Sequence, residues 1–287
     1  MAVLQHLLPL LIVVGLVIAV LLRRPPLAVP ERLGAVARST RRWRLAGLLF
    51  GLAAAATATQ SGALGRGLLL AGPVFGLCVL LGVVAGELGV RAPANARRSV
   101  TLEVRSPRNY LPQMLTSSVG AATLLLGGLL AFTSAIGSAD DLGRAGRSLT
   151  RACSDLSAQS RGPWPGSFYA WPLAVVVLVG LVVAGIALAS VTRRPRQGED
   201  PGLDDALRRQ VATGVIAAVG LLVTVPLVGV GAVAAPGLLQ ICAAPAAWTA
   251  IGAMLLAVIP LALALGIWCG AVLFVPGRVR TAEPARR

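Results

Sequence analysis

Long uninterrupted runs of apolar residues are the feature that most restricts how this chain can fold. Several runs exceed the roughly 18 residues that an α-helix needs to cross the hydrocarbon of a bilayer. The composition agrees, because 56% of the 287 residues are hydrophobic and only 13% are charged, whereas soluble domains carry about 25% charged residues. The sequence therefore predicts an all-α, polytopic membrane protein that forms a single bundle of transmembrane helices.

We predict about seven spans within one transmembrane domain. They comprise residues 3–22, 44–60, 68–88, 112–136, 171–192, 211–234 and 247–275. The first has no basic residue before its apolar core, which is typical of a retained anchor and not of a cleaved signal peptide. The second is short and Ala-rich, so residues 44–88 form either two full spans or a re-entrant hairpin.

Arginine placement predicts the orientation of the chain. All 26 basic residues are arginine, and 21 of them lie in residues 23–44, 89–111 and 193–210 and in the tail at 276–287. Because cytoplasmic loops carry the excess of basic residues, this side should be cytoplasmic, with the N-terminus outside and the C-terminus inside. We expect a bacterial cytoplasmic membrane. The net charge of +15 then reflects anchoring to the bilayer, and nucleic acid is not an expected partner.

The sequence shows no constellation of residues that would support catalysis, a metal site or a cofactor. The interior of the predicted spans contains no Asp, Lys or Arg, and the only histidine, His6, has no acidic or second histidine neighbour. Glu87 lies at the cytoplasmic end of the third span. It is either an interfacial carboxylate paired with Arg91 at i+4 or a gate for a coupling ion.

Two prolines and several small residues predict details of helix packing. Pro226 and Pro260 lie well inside the sixth and seventh spans, where each should kink its helix. Small residues at four-residue spacing let helices approach closely. Ala262, Gly266 and Gly270 of the seventh span form the most regular set of this kind.

The connection at residues 137–170 is the longest segment predicted to lie outside the cell. With Ser138 as N-cap, residues 139–158 project as an extracytoplasmic amphipathic helix. Arg144, Arg147 and Arg151 fall opposite the apolar face, and together with Arg161 beyond the helix they predict an outer recognition surface.

Two of the four cysteines lie in predicted extracytoplasmic loops. Cys153 belongs to the segment at 137–170, and Cys242 lies between the sixth and seventh spans. Because the outside of a cell is oxidising, we predict a disulfide between them. Cys78 and Cys269 lie inside spans and should be small apolar residues.

The phrase "GPWPGSFYAW" leads back into the membrane after this segment. Its aromatic residues, Trp164, Phe168, Tyr169 and Trp171, should form an interfacial belt. The alternative is an aromatic recognition surface flanked by the arginines.

The phrases "RSPRNYLP", "DDLGRAGRSLTRAC" and "GPWPGSFY" resemble those of uncharacterised multi-pass integral membrane proteins of actinobacteria. The resemblance implies a membrane bundle and supplies neither an activity nor site residues. We therefore predict a non-enzymatic membrane subunit or organiser, whose partners bind in the membrane or at the Arg-rich cytoplasmic loops. The alternative is a permease or exporter component for a small or amphiphilic substrate, and a membrane enzyme is a third class.

Overall fold

The structure, a computed structural model, describes residues 31–61, 63–88, 111–193 and 201–274. This part of the chain forms six α-helices and one two-stranded sheet. In chain order they are α1 (Glu31–Gln60), α2 (Arg66–Leu88), α3 (Gln113–Ile136), β1 (Leu149–Ser154), β2 (Ser157–Arg161), α4 (Ser167–Arg193), α5 (Pro201–Gln240) and α6 (Ala246–Phe274). A short 3-10 turn, Ala63–Gly65, joins α1 to α2.

Five of these helices are long and apolar enough to cross a membrane. The segments are Arg66–Glu87, Gln113–Ile136, Ser167–Val191, Arg208–Gln240 and Ala246–Phe274. They coincide with the last five predicted spans. Residues 3–22 lie outside the described residues, and residues 44–60 form the C-terminal half of α1, which is not one of the five. The seven-span arrangement therefore stays a prediction.

Helix α5 lies at the centre of the bundle. It contacts α2, α3, α4 and α6. In its most apolar 18-residue stretch 78% of the helix is buried, against 17% in the corresponding stretch of α6. Small and branched apolar residues line α5 on every side, among them Val215, Ala218 and Val223. A helix with apolar residues on all faces is suited to the centre of a bundle, where every face contacts another helix.

Glycines on α2 let this helix approach two neighbours closely. A Cβ atom added to Gly82 would lie 2.7 Å from the Cα atom of Gly47 in α1, so the two backbones are almost in contact. Gly76 meets Leu222 of α5 in the same manner. Close approach of this kind is the main way in which transmembrane helices gain van der Waals contact.

The small residues of α6 differ in their surroundings, and Ala262 is buried. A Cβ atom at Gly266 would lie 3.0 Å from Oγ1 of Thr224, and one at Gly270 would meet nothing within 4 Å. Two of the three small residues thus lie in the interface, and the third does not, because spacing alone does not show which face of a helix meets a neighbour.

Two arginines predicted to contact lipid headgroups reach into the bundle instead. Arg44 donates a hydrogen bond to the carbonyl oxygen of Leu273 in the last turn of α6, at 3.4 Å. Arg208 is buried and donates to the carbonyl oxygen of Val191 near the end of α4, at 3.0 Å. The last carbonyls of a helix lack partners within the helix and carry partial negative charge, so an arginine stabilises them.

The predicted loop before residue 44 is also helical from Glu31 onward. Most of the other predicted cytoplasmic loops and the tail at 276–287 lie outside the described residues. Their expected role in binding a partner stays a prediction.

Pro226 and Pro260 lie inside α5 and α6, as the sequence predicts, and both helices continue past them. The helix before Pro226 begins at Pro201 and runs without a break into the predicted sixth span. The kinks at the two prolines stay predictions.

The predicted amphipathic helix at residues 139–158 is wrong. Gly143 and Gly146 have φ angles of 76° and 72°, which are left-handed values that end a right-handed helix. Asp140 forms a local turn, because its carboxylate accepts hydrogen bonds from the amides of Leu142 and Arg144 at 3.1 and 2.9 Å. Side chains that bond nearby amides in this way compete with helix formation.

Beyond these turns the chain forms an antiparallel hairpin. Leu149 of β1 pairs with Arg161 of β2, and Arg151 pairs with Gln159. Its register is irregular between Ala152 and Ser154. We call residues 137–166, which connect α3 to α4 and contain both strands, the hairpin cap.

Candidate functional site

One face of the hairpin points towards the bundle and the other points away. Side chains alternate between the two faces of a strand, so Leu149 and Arg151 of β1 share a face with Gln159 and Arg161 of β2. Leu149 is completely buried and belongs to the main hydrophobic core. The remaining residues of this face fasten the hairpin to the connection between α5 and α6.

The predicted cysteine pair lies at this contact. Cys153 and Cys242 form a disulfide, with their Cα atoms 5.4 Å apart. Beside it, the amide of Cys242 donates a hydrogen bond of 2.7 Å to Oε1 of Gln159. The bond links positions 89 residues apart in sequence, so it joins the cap to the last two helices.

Two arginines bind the same connection. Nε of Arg151 donates to the carbonyl oxygen of Ala243 at 2.7 Å, and its guanidinium lies 5.0 Å from the ring centre of Trp248. Arg161 donates to Oε1 of Gln240 at 2.9 Å and to the Gln240 carbonyl oxygen at 3.2 Å. These contacts cap the C-terminal end of α5 with positive charge, which the helix dipole favours.

The other two arginines of the predicted recognition surface bind Asp140. Its Oδ2 atom lies 2.8 Å from Nε of Arg144 and 2.6 Å from Nη1 of Arg147. Desolvation by burial raises the pKa of the Asp140 carboxyl. The hydrogen bonds that it accepts from Arg144 and Leu142, together with the positive charge of Arg144, have the larger opposite effect, so this pKa lies below its usual value. Asp140 is therefore ionised at neutral pH and holds the first turn of the cap together.

The predicted helix that would present Arg144, Arg147 and Arg151 is therefore absent, and a recognition role for these arginines and Arg161 stays a prediction. Each of the four contacts other parts of the cap or the ends of α5 and α6. The outward face of the hairpin is instead small and uncharged, and its exposed residues are Thr150, Ala152, Ala158 and Ser160. The missed signal was the alternation of "LTRAC" and "SAQSR", which has the period of a strand and includes the contact residue Gln159.

The aromatic residues after the hairpin divide into buried and exposed ones. Trp164 is only 1% exposed, and its indole N–H donates to the carbonyl oxygen of Thr133 at 2.9 Å. Tyr169 is buried and its hydroxyl donates to the carbonyl oxygen of Leu64 at 2.7 Å. Trp171, by contrast, is 74% exposed. The predicted interfacial belt therefore does not apply to Trp164 and Tyr169, which pack inside the protein.

Glu87 lies in the last turn of α2 and is partly buried. It interacts electrostatically with Arg44, a contact that links α2 to α1. Its predicted partner Arg91 lies outside the described residues. The role of Glu87 as a gate or as an interfacial carboxylate stays a prediction.

Within residues 31–61, 63–88, 111–193 and 201–274, no group of three or more His, Cys, Asp or Glu side chains could hold a metal ion. No protein-family model, curated protein or solved structure matches this chain. Its function must therefore be inferred from the geometry of the bundle and its cap.

Proposed function

We propose that this protein is a non-enzymatic membrane subunit that holds a partner protein at its hairpin cap. The supporting observation is the attachment of the hairpin to the bundle by the Cys153–Cys242 disulfide and the side chains of Arg151 and Arg161. A surface that is already ordered loses little conformational freedom on binding. Its outward face is small and uncharged, so a partner can approach the backbone of the hairpin closely.

The filled centre of the bundle favours this role over that of a permease or exporter component. A transport path needs a cavity between helices, and α5 occupies the middle of the described bundle. Gly180 of α4 meets Leu222 of α5, and Gly220 of α5 meets Cys269 of α6, without space between them. Close helix contacts on several sides of α5 support a stable scaffold.

We also propose that the hairpin cap lies outside the cell and that the bundle sits in the cytoplasmic membrane of a bacterium, with the N-terminus outside and the C-terminus inside. The arginine distribution supports this orientation, and so does the cysteine pair of the cap, since disulfides persist in oxidising compartments.

Reporter fusions measure this orientation directly. A reporter at Asp140 should be active only outside the cell, and one at Asp200 only in the cytoplasm, because the single span α4 separates the two positions. Activity of both fusions on one side of the membrane would refute the proposed topology.

Site-specific photo-crosslinking in cells tests the partner role. A photoreactive amino acid at Ala158, on the outward face of the hairpin, should give one discrete protein adduct. The matched control is Leu124 on α3, which is 79% exposed and faces away from the core within a span, so the same group there should react with lipid. Absence of an adduct at Ala158, or the same protein adduct at both positions, would contradict a partner surface on the cap.

A further inference from the structure

A groove of about 640 Å³ lies between α3 and α4 at the end of the bundle that carries the hairpin cap. Its apolar part is lined by Gly127 and Leu130 of α3 and by Ala174 of α4. Ser134 and Ser167 line it nearer the cap. Gly127 and Ser134 are seven residues apart, which is about 10 Å along the helix, so the groove is elongated, with an apolar stretch and a polar end.

The polar end carries a cation, Arg66, that forms no salt bridge with any acidic residue in the described part of the chain. Arg66, the first residue of α2, lines the groove, and its guanidinium carbon lies 4.8 Å from the ring centre of Phe168. Its Nε atom is buried and has no hydrogen-bond partner among the residues that the structure describes. The nearby carboxylate of Asp140 is bound by Arg144 and Arg147. A buried N–H donor on a charged group costs free energy until an acceptor reaches it, so the site is complementary to an anion.

We propose that this groove binds an anionic membrane lipid, with the phosphate of its headgroup on Arg66 and an acyl chain between α3 and α4. The apolar lining residues belong to the candidate spans Gln113–Ile136 and Ser167–Val191, so the groove lies at the depth of the bilayer. A free phosphate ion would use only the polar end. A lipid also covers the apolar stretch, and burial of each methylene adds to its affinity.

Native mass spectrometry of the full chain, released from nanodiscs with equal amounts of phosphatidylglycerol and phosphatidylcholine, measures this preference. The wild-type protein should retain one phosphatidylglycerol. Arg66→Gln should lower that retention about tenfold, since a charge-assisted hydrogen bond is lost. Arg66→Lys keeps the charge and should restore most of the retention. Equal retention of the two lipids by the wild-type protein would overturn the proposal.

A second variant fills the apolar part of the groove and leaves Arg66 unchanged. A Cβ atom at Gly127 meets nothing within 4 Å, so Gly127→Leu places its side chain in the groove and should also lower retention about tenfold. Gly120 has the same free space, lies two turns away on the same face of α3 and does not line the groove. Gly120→Leu is therefore the control, and it should retain the lipid normally.

These variants separate the possible outcomes. Normal retention by Gly127→Leu would show that the acyl chain lies elsewhere and would refute the proposed site. Inorganic phosphate at millimolar concentration should not displace the lipid. Complete displacement by phosphate would assign the polar end to a free anion and would also refute a lipid site.

Discussion

Replacing Trp164 by alanine should lower the free energy of unfolding by about 3–5 kcal/mol, as for other buried tryptophans. The indole ring is almost completely buried and lies against Gly237 of α5, where an added Cβ atom would be 2.7 Å from a ring carbon. Its removal leaves a cavity between the cap and α5, and the Thr133 carbonyl oxygen loses the indole N–H. Thermal unfolding of the purified protein in detergent measures the loss.

The matched control for this prediction is Trp171→Ala, since Trp171 lies in the same segment but is largely exposed. Its effect on unfolding should be below about 1 kcal/mol. The loss of unfolding free energy for Trp164→Phe should lie between those of the two alanine variants, because phenylalanine keeps most of the apolar volume but cannot donate the hydrogen bond. Equal unfolding temperatures for Trp164→Ala and Trp171→Ala would show that the cap does not pack on α5 as described.

Replacing Cys242 by serine should cost about 2–4 kcal/mol, the usual contribution of a disulfide that closes a long loop. The bond joins the cap to the α5–α6 connection across 89 residues. Without it, the hairpin is held by Leu149 and by the hydrogen bonds of Arg151, Gln159 and Arg161. Reductant should therefore lower the unfolding temperature of the wild-type protein to that of Cys242→Ser and leave the variant unchanged.

Cys78→Ser serves as the control, since Cys78 is a free cysteine within α2. It should keep the sensitivity of the wild-type protein to reductant. Gel mobility with and without reductant, together with thiol labelling, reports the bond directly. Labelling of both Cys153 and Cys242 in unreduced protein from cells would contradict the disulfide and, with it, the extracytoplasmic position of the cap.

Much of the bundle could be predicted because long apolar runs require helices in a bilayer. The ends of α2, α3 and α6 lie within about two residues of the ends of the predicted spans. The cap could not be predicted in the same way. Its arginines and leucines fit a helical wheel, but the left-handed angles at Gly143 and Gly146 have no sequence signal that separates them from other glycines.

The contacts of individual arginines could not be predicted from the sequence either. Counting them predicts an orientation, because charge placement relative to a bilayer depends on loop composition. Their individual contacts depend on which helix ends they reach: Arg44 and Arg208 bond to carbonyls of α6 and α4, and Arg151 and Arg161 to the α5–α6 connection. Arg66, for which local sequence indicates no contact, lines the groove together with residues of α3 and α4.

The sequence by itself determined that the chain forms helices long and apolar enough to cross a membrane, because helix length and apolarity follow from local composition. It also indicated that Cys153 and Cys242 pair, because these are the two cysteines outside the predicted spans. Only the tertiary structure decided that α5 is the central helix, that the cap is a hairpin and that its arginines bind Asp140 or the α5–α6 connection. These features depend on contacts between segments far apart in the chain, where packing and unpaired helix carbonyls outweigh local helical periodicity.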